Sequence, residues 1–127
     1  MSPTRRYINL PDKGANLPFH DAVLAGDTLY LSGRIGFEAG THKVPAEPEQ
    51  EARNLMDGIQ AVLREAGMSM DDLVQVQIFC SDVSLFERFN KVYWEYFKDE
   101  LPARAFLGSG PLLFGARFEM MGIAVKR

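Results

Sequence analysis

The chain has 127 residues, 46% of them hydrophobic and 24% charged, and its 14 basic and 17 acidic residues give a formal charge of −3. This composition is typical of one globular domain and argues against a disordered chain, and no apolar run approaches the length of a membrane span. The charge also disfavours nucleic-acid binding, which needs a concentrated positive surface. The N-terminal residues lead into no apolar run typical of a signal peptide, so we expect one cytoplasmic domain over residues 1–127.

The first third of the chain predicts three strands. Residues 7–10 form a candidate first strand. The apolar runs 22–24 and 28–32 flank Ala25-Gly26-Asp27. A short loop that contains glycine and lies between two such runs is typical of a hairpin.

Residues 49–66 carry the clearest helical pattern. Pro48 suits the first turn of a helix, and Gly67 suits the position just past its end. Apolar residues recur at the three- and four-residue spacing that builds one face of a helix. They are Ala52, Leu55, Met56, Ile59, Val62, Leu63 and Ala66. We therefore expect an amphipathic helix that packs this face on a sheet.

The middle of the chain predicts a strand and a second helix. Residues 73–80 alternate between apolar and polar side chains, which is a strand pattern. The apolar face of this strand consists of Val74, Val76, Ile78 and Cys80. Ser84 and Glu87 have the spacing of a capping box, which predicts that a helix starts there and ends before Pro102. Its apolar stripe, which we assign to the core, consists of Phe86, Phe89, Tyr93 and Phe97.

The last part of the chain predicts two more strands, at 103–107 and 117–126, around a connection rich in glycine and proline. Two helices of about four turns each can cover one face of the resulting sheet, which makes the fold α+β. Both faces of the last strand are nevertheless apolar. One carries Phe118, Met120 and Ala124, and the other carries Met121, Ile123 and Val125. We therefore expect other subunits to cover the second face.

An ordered set of short motifs runs through most of the chain. It consists of Ala25-Gly26-Asp27, Leu31-Ser32-Gly33, the helix at 50–67, Ser81-Asp82, Phe89-Asn90-Lys91-Val92-Tyr93, Pro102-Ala103-Arg104, Phe118-Glu119 and Gly122-Ile123-Ala124-Val125. No single motif is specific, but the ordered set, with Pro-Ala-Arg fifteen residues before the glutamate, is much more so. With this set the chain resembles the imine deaminase A family, also called YjgF-like and formerly L-PSP endoribonuclease.

The resemblance implies a chorismate-mutase-like mixed sheet with two helices on one face, assembled as a homotrimer with active sites in the clefts between subunits. It also implies hydrolysis of reactive 2-imino or enamine acids to 2-oxo acids and ammonia, with no metal or organic cofactor. Arg104 matches the arginine that holds the substrate carboxylate, and Glu119 matches the glutamate that positions the attacking water. Ser32 and Asn90 match further cleft positions. A guanidinium can bind a carboxylate with two parallel hydrogen bonds, so the role of Arg104 is chemically sensible.

Two departures from the family pattern concern the pocket wall. Phe19 stands where the family often has tyrosine, and Phe106 stands where it often has cysteine, so we expect a less polar pocket lined by both. Three alternatives therefore stay open. They are a deaminase of a larger, aminomuconate-type acid, a non-catalytic module that binds small carboxylates, and a ribonuclease, which the net charge disfavours.

Overall fold

The computed structural model describes residues 4–12 and 17–127. In this part of the chain the strands form one six-stranded sheet in the order β1-β2-β3-β6-β4-β5. The strands are β1 (Arg5–Ile8), β2 (Ala22–Ala25), β3 (Thr28–Arg34), β4 (Leu73–Cys80), β5 (Ala103–Gly108) and β6 (Phe118–Val125). Only β4 and β5 pair in parallel, and the other neighbours are antiparallel. The predicted mixed sheet is confirmed, with the first strand starting two residues earlier than predicted.

Helix α1 (Pro48–Glu65) confirms the first predicted helix and starts with its proline in the first turn. Its predicted apolar face is buried, with Leu55, Met56 and Leu63 fully inaccessible. The helix packs on β3 and β6 and against the second helix, so both helices lie on one face of the sheet. None of the helices in the described residues is long and apolar enough to cross a membrane.

Helix α2 (Phe86–Trp94) is shorter than predicted and begins differently. It has nine residues, about two and a half turns, and follows a 3-10 turn over Val83–Leu85. The predicted capping box is wrong. The carboxylate of Asp82 instead accepts hydrogen bonds from the backbone nitrogen and hydroxyl of Ser84, at 3.0 and 2.7 Å. The bond from the backbone nitrogen gives one free N–H group of the 3-10 turn an acceptor. A short side chain placed just before a turn reaches such groups more easily than a side chain inside the turn.

One residue of β4 faces the opposite way from its prediction. Leu73 and Gln75 pair with the adjacent residues Ala124 and Ile123 of β6, so Val74 is an extra residue in the ladder. Such a bulge interrupts the alternation of faces. Val74 is therefore exposed, whereas Val76 lies fully buried beneath the helices.

The face of the sheet that the helices leave uncovered is apolar in its centre. Tyr30 of β3 and Ile123 of β6 are cross-strand partners on this face, and Tyr30 is half exposed. Met121 and Val125 extend the same surface and are also exposed. No further layer of the described chain packs on this surface, in agreement with the two apolar faces predicted for the last strand.

The start of β6 is held by a buried carboxylate on α1. Glu51 is fully buried and accepts hydrogen bonds from the backbone nitrogens of Arg117 (2.7 Å) and Phe118 (3.1 Å). It also accepts a 2.7 Å bond from Nη1 of Arg117, whose guanidinium donates to two backbone carbonyls before α1 as well. A buried carboxylate with this many donors is satisfied. The arrangement fixes β6 directly before Glu119.

Candidate functional site

Arg104 lies on the helix-covered face of the sheet. It pairs in parallel with the fully buried Val76 of β4, and partners in such a pair point to the same face. Its Nη1 donates a 2.8 Å hydrogen bond to Oδ1 of Asn90 on α2. The structure therefore brings these two predicted site residues together.

Three aromatic rings surround the guanidinium of Arg104. Its central carbon lies 4.8 Å from the ring centroid of Tyr93, 5.5 Å from that of Phe106 and 5.6 Å from that of Phe86. Distances of this size allow cation–π attraction, which orients the guanidinium. None of the ion pairs within the described residues involves Arg104. Its remaining N–H groups are thus suited to an anionic ligand.

Tyr93 is a neighbour of Arg104 that the sequence interpretation assigned to the core. It is buried, and its hydroxyl has no hydrogen-bond partner among the described residues. Burial raises the pKa of Tyr93 to about 12, although the nearby charge of Arg104 partly opposes the shift. The phenol is therefore neutral at physiological pH. The spacing of the aromatic stripe predicted only that Tyr93 faces the core. It carries no information on β5, the strand that places Arg104 beside this ring.

Glu119 lies on the opposite face of the sheet from Arg104. Its neighbours in β6, Phe118 and Met120, are fully buried under the helices, so the side chain between them points to the uncovered face. There its carboxylate lies against the Cα atom of Gly33 in β3. One copy of the chain consequently keeps the two predicted catalytic residues apart.

Ser32 and Phe19 line a separate cavity of about 510 Å³ at the end of β3. Ser32 donates a 2.6 Å hydrogen bond to the backbone carbonyl of His20, which occupies its hydroxyl proton. Gly33 and Arg34 line the same cavity, and Arg34 forms a 3.3 Å ion pair with Asp21. The structure thus divides the predicted residues into two groups. The first group consists of Arg104, Asn90 and Phe106. The second lies around Gly33 and consists of Glu119, Ser32 and Phe19.

The family model described as Endoribonuclease L-PSP matches residues 12–126. The chain belongs to this family. Among its relatives, the 2-iminobutanoate/2-iminopropanoate deaminase of Dermatophagoides farinae is 35% identical over 127 residues, which cover 98% of this chain and 98% of the relative. This membership confirms the resemblance found in the sequence.

Solved structures that are similar to this chain have the same fold. RidA from the Antarctic bacterium Psychrobacter sp. PAMC 21119 is 28% identical with a TM-score of 0.87, over 95% of this chain and all of that one. TdcF of E. coli, crystallised with bound serine, is 26% identical with a TM-score of 0.88, over 96% of this chain and all of that one. The predicted α+β fold with two helices on one face is confirmed for this L-PSP family member.

Proposed function

We propose that the protein hydrolyses small 2-imino acids, or their enamine tautomers, to 2-oxo acids and ammonia. The observation that carries this proposal is Arg104, a guanidinium held by Asn90 and three aromatic rings and paired with no carboxylate of the described chain. Such a group is suited to the carboxylate of a small acid. The deaminase name of a relative that is 35% identical, and the serine bound to TdcF, support the same substrate class.

The proposed chemistry needs one water and one carboxylate. The imine carbon is electrophilic, so a positioned water can add to it while Glu119 accepts a proton. Return of this proton to the nitrogen gives a carbinolamine. Its hydroxyl proton then moves to the nitrogen through the same carboxylate while the carbon–nitrogen bond breaks, and the products are the 2-oxo acid and ammonia. Glu119 is half-buried and lies beside Gly33, and Gly33 lines the cavity together with Ser32 and Phe19.

The two faces of the sheet suggest that the site is shared. Arg104 and Glu119 point to opposite faces of the sheet. Both can act on one substrate molecule only if two copies of the chain each supply one of them. The exposed apolar surface around Tyr30, Met121 and Val125 is a suitable contact for that copy. We therefore propose a homotrimer of single-domain chains with its substrate clefts between subunits.

A non-catalytic carboxylate-binding module is the second candidate. It is favoured by the chemistry around Arg104, where one amide and three aromatic rings supply no group that exchanges a proton near neutral pH. Phe106 also makes this wall apolar, and it packs edge-on against Phe86 at 4.9 Å. The same wall would suit the larger chain of an aminomuconate-type acid. The family's description also suggests a ribonuclease, but the formal charge of −3 disfavours binding to RNA.

The first test is ammonia release from freshly generated 2-iminobutanoate, for the wild type and for Arg104→Ala. The proposed enzyme accelerates release, and the variant loses this acceleration. If the wild type binds 2-oxobutanoate in calorimetry without accelerating release, the binding module is the better description. The same assay with an aminomuconate-type acid shows which of the two proposed substrate classes the enzyme prefers.

Co-expression of two inactive variants tests whether the site is shared. Arg104→Ala and Glu119→Gln each lack one residue, and random mixing of subunits restores both residues in about a quarter of shared sites. Recovery of roughly that share of wild-type activity supports a cleft between copies. A site within one chain regains nothing. Light scattering checks the assembly, which we expect at three times the chain mass of 14.3 kDa.

A further inference from the structure

Position 33 needs a glycine because a side chain there would not fit, and not because the backbone adopts an unusual conformation. Glycine is favoured where φ is positive, and the glycines with a positive φ in the described chain are Gly26, Gly40, Gly67 and Gly115. Gly33 is not among them. A Cβ atom at position 33 would instead overlap Oε2 of Glu119 and lie 3.1 Å from its Cδ.

The obstacle at Gly33 is a mobile side-chain end, which distinguishes it from the tight glycines of the core. At Gly122 a Cβ would lie 2.7 Å from the backbone carbonyl of Gln75, and at Gly36 it would overlap the backbone of Glu51. A methyl group at those two positions would force the backbone apart. At Gly33, which is exposed, rotation of the Glu119 side chain makes the room.

We infer that Gly33 is a positioning residue for Glu119, because only a residue without a side chain lets the carboxylate lie directly against the backbone of β3 at this point. Gly33 itself lines that cavity together with Ser32 and Phe19. The inference rests on the proposed function, in which Glu119 takes a proton from the attacking water. A side chain at position 33 displaces the carboxylate while Arg104, on the other face of the sheet, keeps its place.

The test is Gly33→Ala, with Gly110→Ala as the matched control. A Cβ at Gly110 meets nothing within 4 Å and its φ is not positive, so this control receives the same methyl group without a neighbour. We expect Gly33→Ala to lower kcat for 2-iminobutanoate by about 10-fold or more. General acid–base catalysis typically contributes roughly 100-fold or more, so displacement of the carboxylate has an effect of at least this size. The affinity for 2-oxobutanoate and the urea midpoint are expected to stay close to those of the wild type.

A second substitution distinguishes displacement of Glu119 from general damage. Aspartate is one methylene shorter, so Glu119→Asp in the Gly33→Ala background leaves room for the methyl group. We expect this double variant to have a higher kcat than Gly33→Ala alone. A Gly33→Ala enzyme with wild-type kcat, beside an inactive Glu119→Gln, overturns the inference and leaves the proposed function intact.

A crystal structure of Gly33→Ala tests the inference even if no ammonia is released by the wild type. The inference expects a rotated Glu119 side chain on an unmoved β3 and β6. Separation of the two strands with Glu119 in its original rotamer contradicts it. Absence of wild-type turnover contradicts only the proposed function, so the two failures are distinguishable.

Discussion

Arg104 on β5 and Asn90 on α2 are joined by one 2.8 Å hydrogen bond from Nη1 to Oδ1. The bond uses one end of the guanidinium and leaves other N–H groups for a ligand. It also explains why an amide suits position 90. A neutral acceptor orients the arginine without neutralising the charge that an anion would need, whereas a carboxylate there would compete with the substrate.

Replacement of Arg104 by lysine should weaken ligand binding strongly. An ammonium offers a point charge and cannot form two parallel hydrogen bonds with one carboxylate. We expect affinity for 2-oxobutanoate to fall by about 10-fold or more, the scale of one charge-assisted hydrogen bond of roughly 1.5–3 kcal/mol. Calorimetry measures the change. Arg53→Lys, which alters an exposed pair with Glu95, is the control and should bind normally. Wild-type affinity in Arg104→Lys would remove Arg104 from the site.

Glu119→Gln should separate binding from turnover. An amide can hold a water molecule but cannot take its proton, so kcat is expected to fall while the dissociation constant for 2-oxobutanoate changes little. An ammonia assay and calorimetry on the same preparation give both quantities. Equal losses in the two would show that the carboxylate contacts the ligand directly. Unchanged turnover would exclude a proton-transfer role.

The features that the sequence predicted well are those with a short repeat. Helix α1 and strand β4 were found with nearly their observed bounds, because the spacing of apolar residues reports which face is buried. The predicted orientation of Val74 and the predicted capping box at Ser84 were wrong for a related reason. A bulge depends on the register with β6, and a cap depends on the local backbone angles, and neither leaves a repeat in the sequence.

The candidate site residues were proposed through the resemblance, which did not give their arrangement. That Arg104 lies among the rings of Phe86, Tyr93 and Phe106 follows from the parallel pairing of β5 with β4. That Glu119 lies over Gly33 follows from the pairing of β3 with β6. Contacts between residues more than ten positions apart require the strand order, which local patterns do not contain.

Truncation of Ile59 tests the core beneath α1. The side chain is 1% exposed at the centre of the apolar face of the helix. Ile59→Ala should lower the free energy of unfolding by about 2–5 kcal/mol through lost burial and the cavity left behind. Urea denaturation measures the change, with the exposed Arg64→Ala on the same helix as the control. An unchanged midpoint would contradict the packing of this face.

Removal of Arg117 tests the buried carboxylate at the start of β6. Arg117→Ala leaves the fully buried Glu51 with its two backbone donors but without its cationic partner. Loss of one partner of a buried ion pair is expected to destabilise the protein by about 3–5 kcal/mol. Arg88→Ala, which breaks an exposed pair with Glu49, should have a much smaller effect in the same urea experiment. Equal effects of the two variants would show that the buried charge is compensated by other groups.

The contact between the two helices should contribute to stability in a pH-dependent way. Two hydrogen bonds of 2.7 Å from Arg88 of α2 to Glu49 of α1 lower the pKa of that carboxyl from 4.5 to about 2. Because the pKa is lower in the folded state, the pair stabilises the protein above the unfolded pKa and loses this effect as the pH falls from 4.5 towards 2. The side chains are exposed, so solvent and salt weaken the contribution.

Glu49→Gln isolates this contribution. The variant is expected to have a lower urea midpoint than the wild type at about pH 7, and the difference should shrink below about pH 4.5 and vanish near pH 2. Glu87→Gln on α2 is the matched control, since Glu87 is exposed and forms no ion pair among the described residues, so its midpoint should follow the wild type throughout. A Glu49→Gln difference that persists unchanged near pH 2 would mean that the side chain stabilises the helices by packing and not by its charge. Added salt should reduce the difference at neutral pH if the charge is responsible.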